Sequence, residues 1–148
     1  MPTMAKPDAK VQALLDAPNM AVMSTLDAHG APRSHPLWFN VEGDHVCLNS
    51  VRGRAWPRRV ENDERIALCV VNHEATHEYV EITGRVTEVT HDGADAHIDA
   101  LSNRYIGIDY PNRFEGEERL KVTVVPEKFV YVNLLEAIPA APFGDQRD

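Results

Sequence analysis

Apolar residues along the chain fall mostly into short runs of alternating or near-continuous hydrophobicity, the pattern of strands. Only two stretches show helical spacing. Val11, Leu14 and Leu15 predict a short opening helix that Pro18 stops. MAVMSTL (20–26), HPLWFNV (35–41) and HVCLNS (45–50) read as a meander of three strands joined by short turns. The first turn, DAHGAP, has Gly30 free to take positive φ and Pro32 fixing the exit; the second is EGDH. Pro57 suits a first helical position, which predicts a brief helix through Val60. RIALCVVN (65–72) is nearly continuous, as expected of a central strand buried on both faces. In EYVEITGRVTEVT (78–90), Tyr79, Glu81 and Thr83 share one side and Val80 and Ile82 the other, with Gly84 read as a bulge or sharp bend. From Asp92 the period changes. Ala94, Ile98, Leu101 and Tyr105 predict a helix with Asp92 as N-cap and Gly107 as its stop. RLKVTVVP and EKFVYVN read as two final strands, and residues 135–148 as a loose tail.

Six to seven antiparallel strands with peripheral helices make the chain mainly β. A small β-barrel is the expected architecture and a sandwich the alternative. Helices do not alternate with strands, and neither GxGxxG nor GxxxxGK[ST] occurs, so a doubly wound nucleotide fold is excluded. With 148 residues, the chain is one domain whose core spans about 10–134.

Charge and composition narrow the function. Net charge is -8, so no broad basic face exists for nucleic acid. No apolar run approaches the ~20 residues that cross a bilayer, and MPTMAKPDAK lacks the apolar core of a secretory signal. Cys47 and Cys69 sit in apolar runs without metal or CxxC spacing, so they are expected as buried reduced thiols in a cytoplasmic protein.

One segment departs from the acidic average. NSVRGRAWPRR (49–59) holds Arg52, Arg54, Arg58 and Arg59 without a carboxylate. A solvated basic turn is the plain reading. The alternative is an anion site, in which guanidinium forks and the free N–H groups of a helix start converge on phosphate or carboxylate. Asn49 and Ser50 could add neutral donors, while His35, Pro36 and Trp38 on an adjacent strand would offer a rigid aromatic platform. A flat ring with an anionic tail would use all of these; Trp38 and Phe39 could instead be core or dimer residues, and for Phe39 that reading is preferred. His73 and His77 flank a strand connection without a third ligand, and no serine has a nucleophile-elbow context. The GEE carboxylates (116–118) read as solvated, and His97 as a surface residue of the late helix.

The succession STLDAHGAPRSHPLWF, LNSVRGRAWPRRVENDERIALCVV, YVEITGRV and HIDALSNRYIGIDYP with GEERLKV resembles the flavin and deazaflavin oxidoreductases of the pyridoxamine-phosphate-oxidase-like split β-barrel superfamily. The subgroup it is most similar to uses the deazaflavin coenzyme F420. That resemblance implies a homodimer with cofactor sites at the interface and hydride transfer between the deazaflavin and a small organic substrate. Reading residue by residue, it implies ring contacts from His35, Pro36, Trp38, Asn49 and Ser50, and phosphate contacts from Arg54 and Arg58. Arg52 would lie near the acidic tail, and Tyr79 would reach the partner subunit's cofactor. Trp56 stands where such proteins commonly carry lysine, and Arg59 where they carry asparagine, so Arg59 could replace the missing charge. FMN is the alternative cofactor, since the superfamily also holds FMN users and haem binders, and a non-catalytic cofactor carrier is the alternative function.

Overall fold

A computed structural model describes residues 3–136; the expected loose tail lies, from residue 137, outside the described residues. The elements run α1 (Ala9–Asp16), β1 (Ala21–Leu26), β2 (Pro32–Leu37), β3 (Asn40–Glu42), β4 (His45–Val51), α2 (Ala55–Asn62), β5 (Arg65–Val71), β6 (Glu78–Thr90), α3 (Ala94–Ile106) and β7 (Arg119–Asn133). The seven strands form one antiparallel sheet in the order β2-β1-β5-β6-β7-β4-β3. Phe39, Met23, Leu48, Leu68, Ile82, Val80 and Val122 are fully buried along its inner face, closed at one side by Val11, Leu14 and Leu15 of α1. Asp8 starts α1 by accepting a hydrogen bond from the Val11 N–H at 2.9 Å.

The expected meander is replaced by two hairpins at opposite edges of the sheet. β2 pairs only with β1, and β3 only with β4. HPLWFNV is therefore not one strand: it breaks at Trp38–Phe39, between β2 and β3. The backbone freed by the break is recovered by α3. The Tyr105 hydroxyl accepts from the Phe39 N–H at 3.3 Å and donates to the Asn19 carbonyl at 2.6 Å. Phe39 itself is core, as its apolar context implied.

Four further expectations change. RIALCVVN alternates instead of burying both faces: Ile66, Leu68 and Val70 point to the core while their neighbours are exposed or half-buried, because the curled sheet covers only its concave side. RLKVTVVP and EKFVYVN are one strand, β7. Pro126 falls opposite Gly84 at a bulge, where the ladder is already interrupted, so its missing N–H costs no pairing. Asp92 does not cap α3; Gly93 occupies that position at φ 72° without a side-chain bond, and Gly107 stops the helix at φ 75° as expected. Pro57 is the third residue of α2 rather than the first, still within the turn whose N–H groups lack helical partners.

Candidate functional site

The sheet curls without closing. β4 is covered by β3 only up to Cys47, and from Leu48 to Val51 it has β7 on one side and no strand on the other. The free edge of β2 stands at the other end of the sheet order. Between them lies a cleft of about 280 Å³ lined from both margins. His35, Pro36, Leu37 and Trp38 come from β2 and the break after it; Asn49 and Ser50 come from β4. Arg54 and Trp56 join them from the start of α2, and Ile98, Leu101, Tyr110 and Arg119 from α3, the loop after it and β7. The expected neighbourhood is thus real, but its cause differs: β2 is not beside β4, and the two meet across the open seam.

Trp38 is held upright by aromatic partners. Its ring stacks on Tyr105 at 5.3 Å between centroids and 5° between planes, and meets the Tyr110 edge at 6.2 Å. His35 is half-buried beside the Trp56 ring, 6.2 Å away. Burial lowers its pKa from the ordinary value, and the charges of Arg59 and Arg54 lower it further, so it is neutral at neutral pH and offers a lone pair.

The two neutral donors behave differently. Ser50 Oγ is buried with no hydrogen-bond partner among the described residues, a polar atom left for something in the cleft. The Asn49 amide is already committed. Its Nδ2 donates to the Ala94 carbonyl at 3.0 Å and to His97 Nδ1 at 3.1 Å, and its Oδ1 accepts from Arg119 Nη1 at 3.2 Å.

His97 is therefore not a surface residue. It is 4% exposed, and its Nε2 sits 2.9 Å from Asn40 Oδ1. That arrangement requires the neutral Nε2–H tautomer, which donates to Asn40 and accepts from Asn49. Desolvation, partly countered by Glu42, brings its pKa down to about 4. The unfolded chain protonates this histidine near its ordinary 6.5, so as pH falls from 6.5 towards 4 the unfolded state gains a proton that the folded state refuses. Stability should be intact above 6.5 and decline through that window, by about 3 kcal/mol at full effect. Urea titrations at pH 7.5 and 4.5 should show a drop that His97→Gln largely removes; an equal drop in the variant would assign it to other groups.

The loop carboxylates are likewise not simply solvated. Glu117 Oε2 accepts from Arg119 Nε at 2.6 Å, both side chains being almost inaccessible, and Glu118 accepts from Arg52 Nε at 2.7 Å. Arg52 is thus held by its own chain. Arg59 Nε donates to Thr25 Oγ1 at 2.9 Å. Arg54 and Arg58 form no ion pair with a described residue. Arg58 and Arg59 line a second, larger cleft of about 700 Å³ together with Arg33 and the carboxylates Asp27 and Asp63. A groove lined by Arg52, Arg54, Arg58 and Glu61 shares Arg54 with the first cleft and Arg58 with the second. Trp56 is buried in the core cluster and contributes no charge. Tyr79 lies on β6 opposite Val71 and Val132 and is not part of the cleft.

Among the described residues no three His, Cys, Asp or Glu side chains gather as metal ligands, and His73 is engaged with Asn19 at 2.9 Å. Cys47 and Cys69 are unpaired; burial pushes the Cys47 thiol up to about 11 and raises that of Cys69 as well. No described helix is long and apolar enough to cross a membrane.

An antiparallel barrel left open along one seam, with an arginine-bearing helix start at the seam's end, is a split barrel. The chain belongs to the pyridoxamine 5'-phosphate oxidase family, whose profile matches residues 7–132. No curated protein matches it in sequence. Among solved structures it is similar to an F420 reductase, with 22% identity, a TM-score of 0.76, and 84% of this chain and 98% of that one covered. A putative pyridoxamine 5'-phosphate oxidase from Listeria innocua shares 16% identity at a TM-score of 0.65, covering 84% and 96%. An FAD- and haem-binding protein from Mycobacterium smegmatis shares 16% at 0.66, covering 93% and 76%. At these identities the likeness is one of fold.

The residues present fit a flavin-type group. Pro36 and Trp38 offer flat apolar surface, Ser50 Oγ lacks a partner among the described residues, and Arg54 and Arg58 carry charge that no described side chain neutralises. Glu117 was read as solvated and His97 as a surface residue, while Arg119 and Tyr110 were missed from sequence. Their only signal was an arginine opening a strand directly after an acidic loop.

Proposed function

We propose that the protein is a deazaflavin-dependent reductase that uses coenzyme F420 and moves a hydride between it and a small organic substrate. The observation that carries this reading is the spread of arginines over adjoining clefts. Arg54 belongs to both the seam cleft and the groove, and Arg58 to both the groove and the larger cleft, where Arg59 stands with Arg33, itself 3.8 Å from Asp27. One phosphate is satisfied by Arg54 alone or with Arg58; a phosphodiester followed by glutamates would use both and could reach on to Arg59 and Arg33.

The bound ring would supply the hydride chemistry, and the chain supplies position and electrostatics. Pro36 and Trp38 would seat the ring, Ser50 would donate to its polar edge, and Ile98 and Leu101 would keep water from that side. Arg54 and the open N–H groups of α2 would anchor the phosphate. His35, neutral at neutral pH, is an acceptor there rather than an acid. The thiols of Cys47 and Cys69, unreactive at neutral pH, suit the cytoplasm.

FMN is the second reading, because Arg52 and Arg59 have protein partners and the two remaining arginines match a single phosphate. Absorbance titration of the purified protein with each cofactor decides between them. The deazaflavin should bind at least about tenfold more tightly, since each charge-assisted contact is worth that order; tighter FMN would select the alternative. Turnover of substrate with reduced cofactor then separates an enzyme from a carrier.

Tyr79 enters this site only in a homodimer, from the partner copy. Light scattering at micromolar concentration should give twice the chain mass; a monomer that still binds cofactor would remove Tyr79 from the site.

A further inference from the structure

The cleft contains two cations of different kinds. Arg54 has no counter-charge among the described residues, whereas Arg119 is paired with Glu117 at 2.6 Å and only 4% exposed. Arg119 is also locked in orientation. Its guanidinium lies 4.7 Å over the Tyr110 ring, Nε is bound to Glu117, and Nη1 is bound to Asn49. Asn49 in turn is fixed by His97, and His97 by Asn40, so each acceptor along the line is set by the next donor. Nη2 alone forms no hydrogen bond with a described residue, and the side chain lines the cleft. A guanidinium built this rigidly, with one face left free, is a prepared donor.

Charge balance selects what it can take. A second full anion beside the buried Arg119–Glu117 pair would leave an uncompensated negative charge out of water, which is strongly unfavourable. A neutral, polarisable carbonyl oxygen meets no such penalty and gains a charge-assisted hydrogen bond. Resting on the reading of the cleft as a ring site, we propose that Arg119 Nη2 donates to a carbonyl oxygen of the bound ring system. Ligand orientation is then set by the two cations: the anionic tail lies at the uncompensated Arg54 and the uncharged carbonyl edge at the compensated Arg119.

The test compares each cofactor with its phosphate-free form: FMN against riboflavin, and F420 against its deazaflavin alcohol. Arg119→Met should weaken the intact and phosphate-free forms by the same factor, roughly tenfold or more for a charged donor to a carbonyl. Arg54→Glu should weaken only the phosphorylated forms. Because Arg119→Met strands Glu117, the charge-neutral pair Glu117→Gln with Arg119→Met is measured alongside it, with thermal melts confirming the fold. Arg119→Lys should recover part of the affinity. It should also recover the wild-type visible spectrum of the bound ring, which loss of packing alone would not distinguish from Met. If the folded double variant binds riboflavin and the deazaflavin alcohol within twofold of wild type, the proposal is overturned and the cofactor reading stands. Failure of the wild type to bind any of the four compounds overturns both.

Discussion

Arg54→Glu should weaken binding of the phosphorylated cofactor by roughly ten- to several-hundred-fold, because it removes a charge-assisted contact and substitutes a repulsive one. The size of the effect follows from the arginine's surroundings. Arg54 is the N-cap residue of α2, its side chain makes no capping bond, and no described carboxylate pairs with it. No described residue competes for its charge, and none loses a partner when it is reversed. Folding should therefore be unaffected while affinity collapses. Arg52→Ala provides the contrast. Its guanidinium is held by Glu118 in an exposed pair, so its removal should leave affinity within about twofold and its effect should vanish as salt is raised. Isothermal titrations of both variants check this, and unchanged affinity in folded Arg54→Glu would return the basic segment to a solvated turn.

Gly84→Ala should destabilise the framework far more than the addition of one methyl group normally does. A Cβ at this position would overlap the Val125 carbonyl oxygen and come within 3.1 Å of its carbon and 3.2 Å of Pro126 Cα. These are backbone atoms of β7 and cannot rotate away, so the crossing of the two longest strands must open. The cost is steric alone, since Gly84 is not among the glycines with positive φ. Overpacking against rigid backbone costs on the order of 3 kcal/mol, which for a domain of this size lowers Tm by roughly 6–12 °C. Gly30→Ala meets open space and suffers only from its φ of +78°, at about 1–2 kcal/mol. Thermal melts followed by circular dichroism rank the two. A smaller loss at Gly84 than at Gly30 would mean that the strand crossing yields freely.

The bulge at Gly84 was legible in the sequence because a glycine inside a strong alternation has few other uses. The strand positions were legible for the same reason, but the strand order was not. Periodicity reports which face of a strand is buried and says nothing about which strand lies beside it, so β2 and β4 read as neighbours although they occupy the two ends of the sheet. The cleft residues from His35 to Arg54 were recoverable because the chain passes both margins of the seam within about twenty positions. Arg119 and Tyr110 reach the same cleft from far along the sequence, across β5, β6 and α3, and no local pattern links them to it. His97 was lost through the width of the α3 contact face. Ile98 and Leu101 define an apolar stripe, and the polar residue beside it is buried only because Asn40 and Asn49 wait there to satisfy both ring nitrogens. Pro126 divided β7 in the reading because a proline normally ends a strand; the bulge opposite it is a tertiary feature.

The chain has two tryptophans, and both Trp38 and Trp56 border the seam cleft. Tryptophan emission from this protein, excited selectively beyond the tyrosine band, therefore originates at the place where a ligand would sit. A ring that absorbs in the near ultraviolet and lies against Trp38 would quench that emission by energy transfer, without any label or background from distant indoles. The native protein is in effect its own optical reporter, and occupancy can be followed at concentrations far below those that absorbance requires.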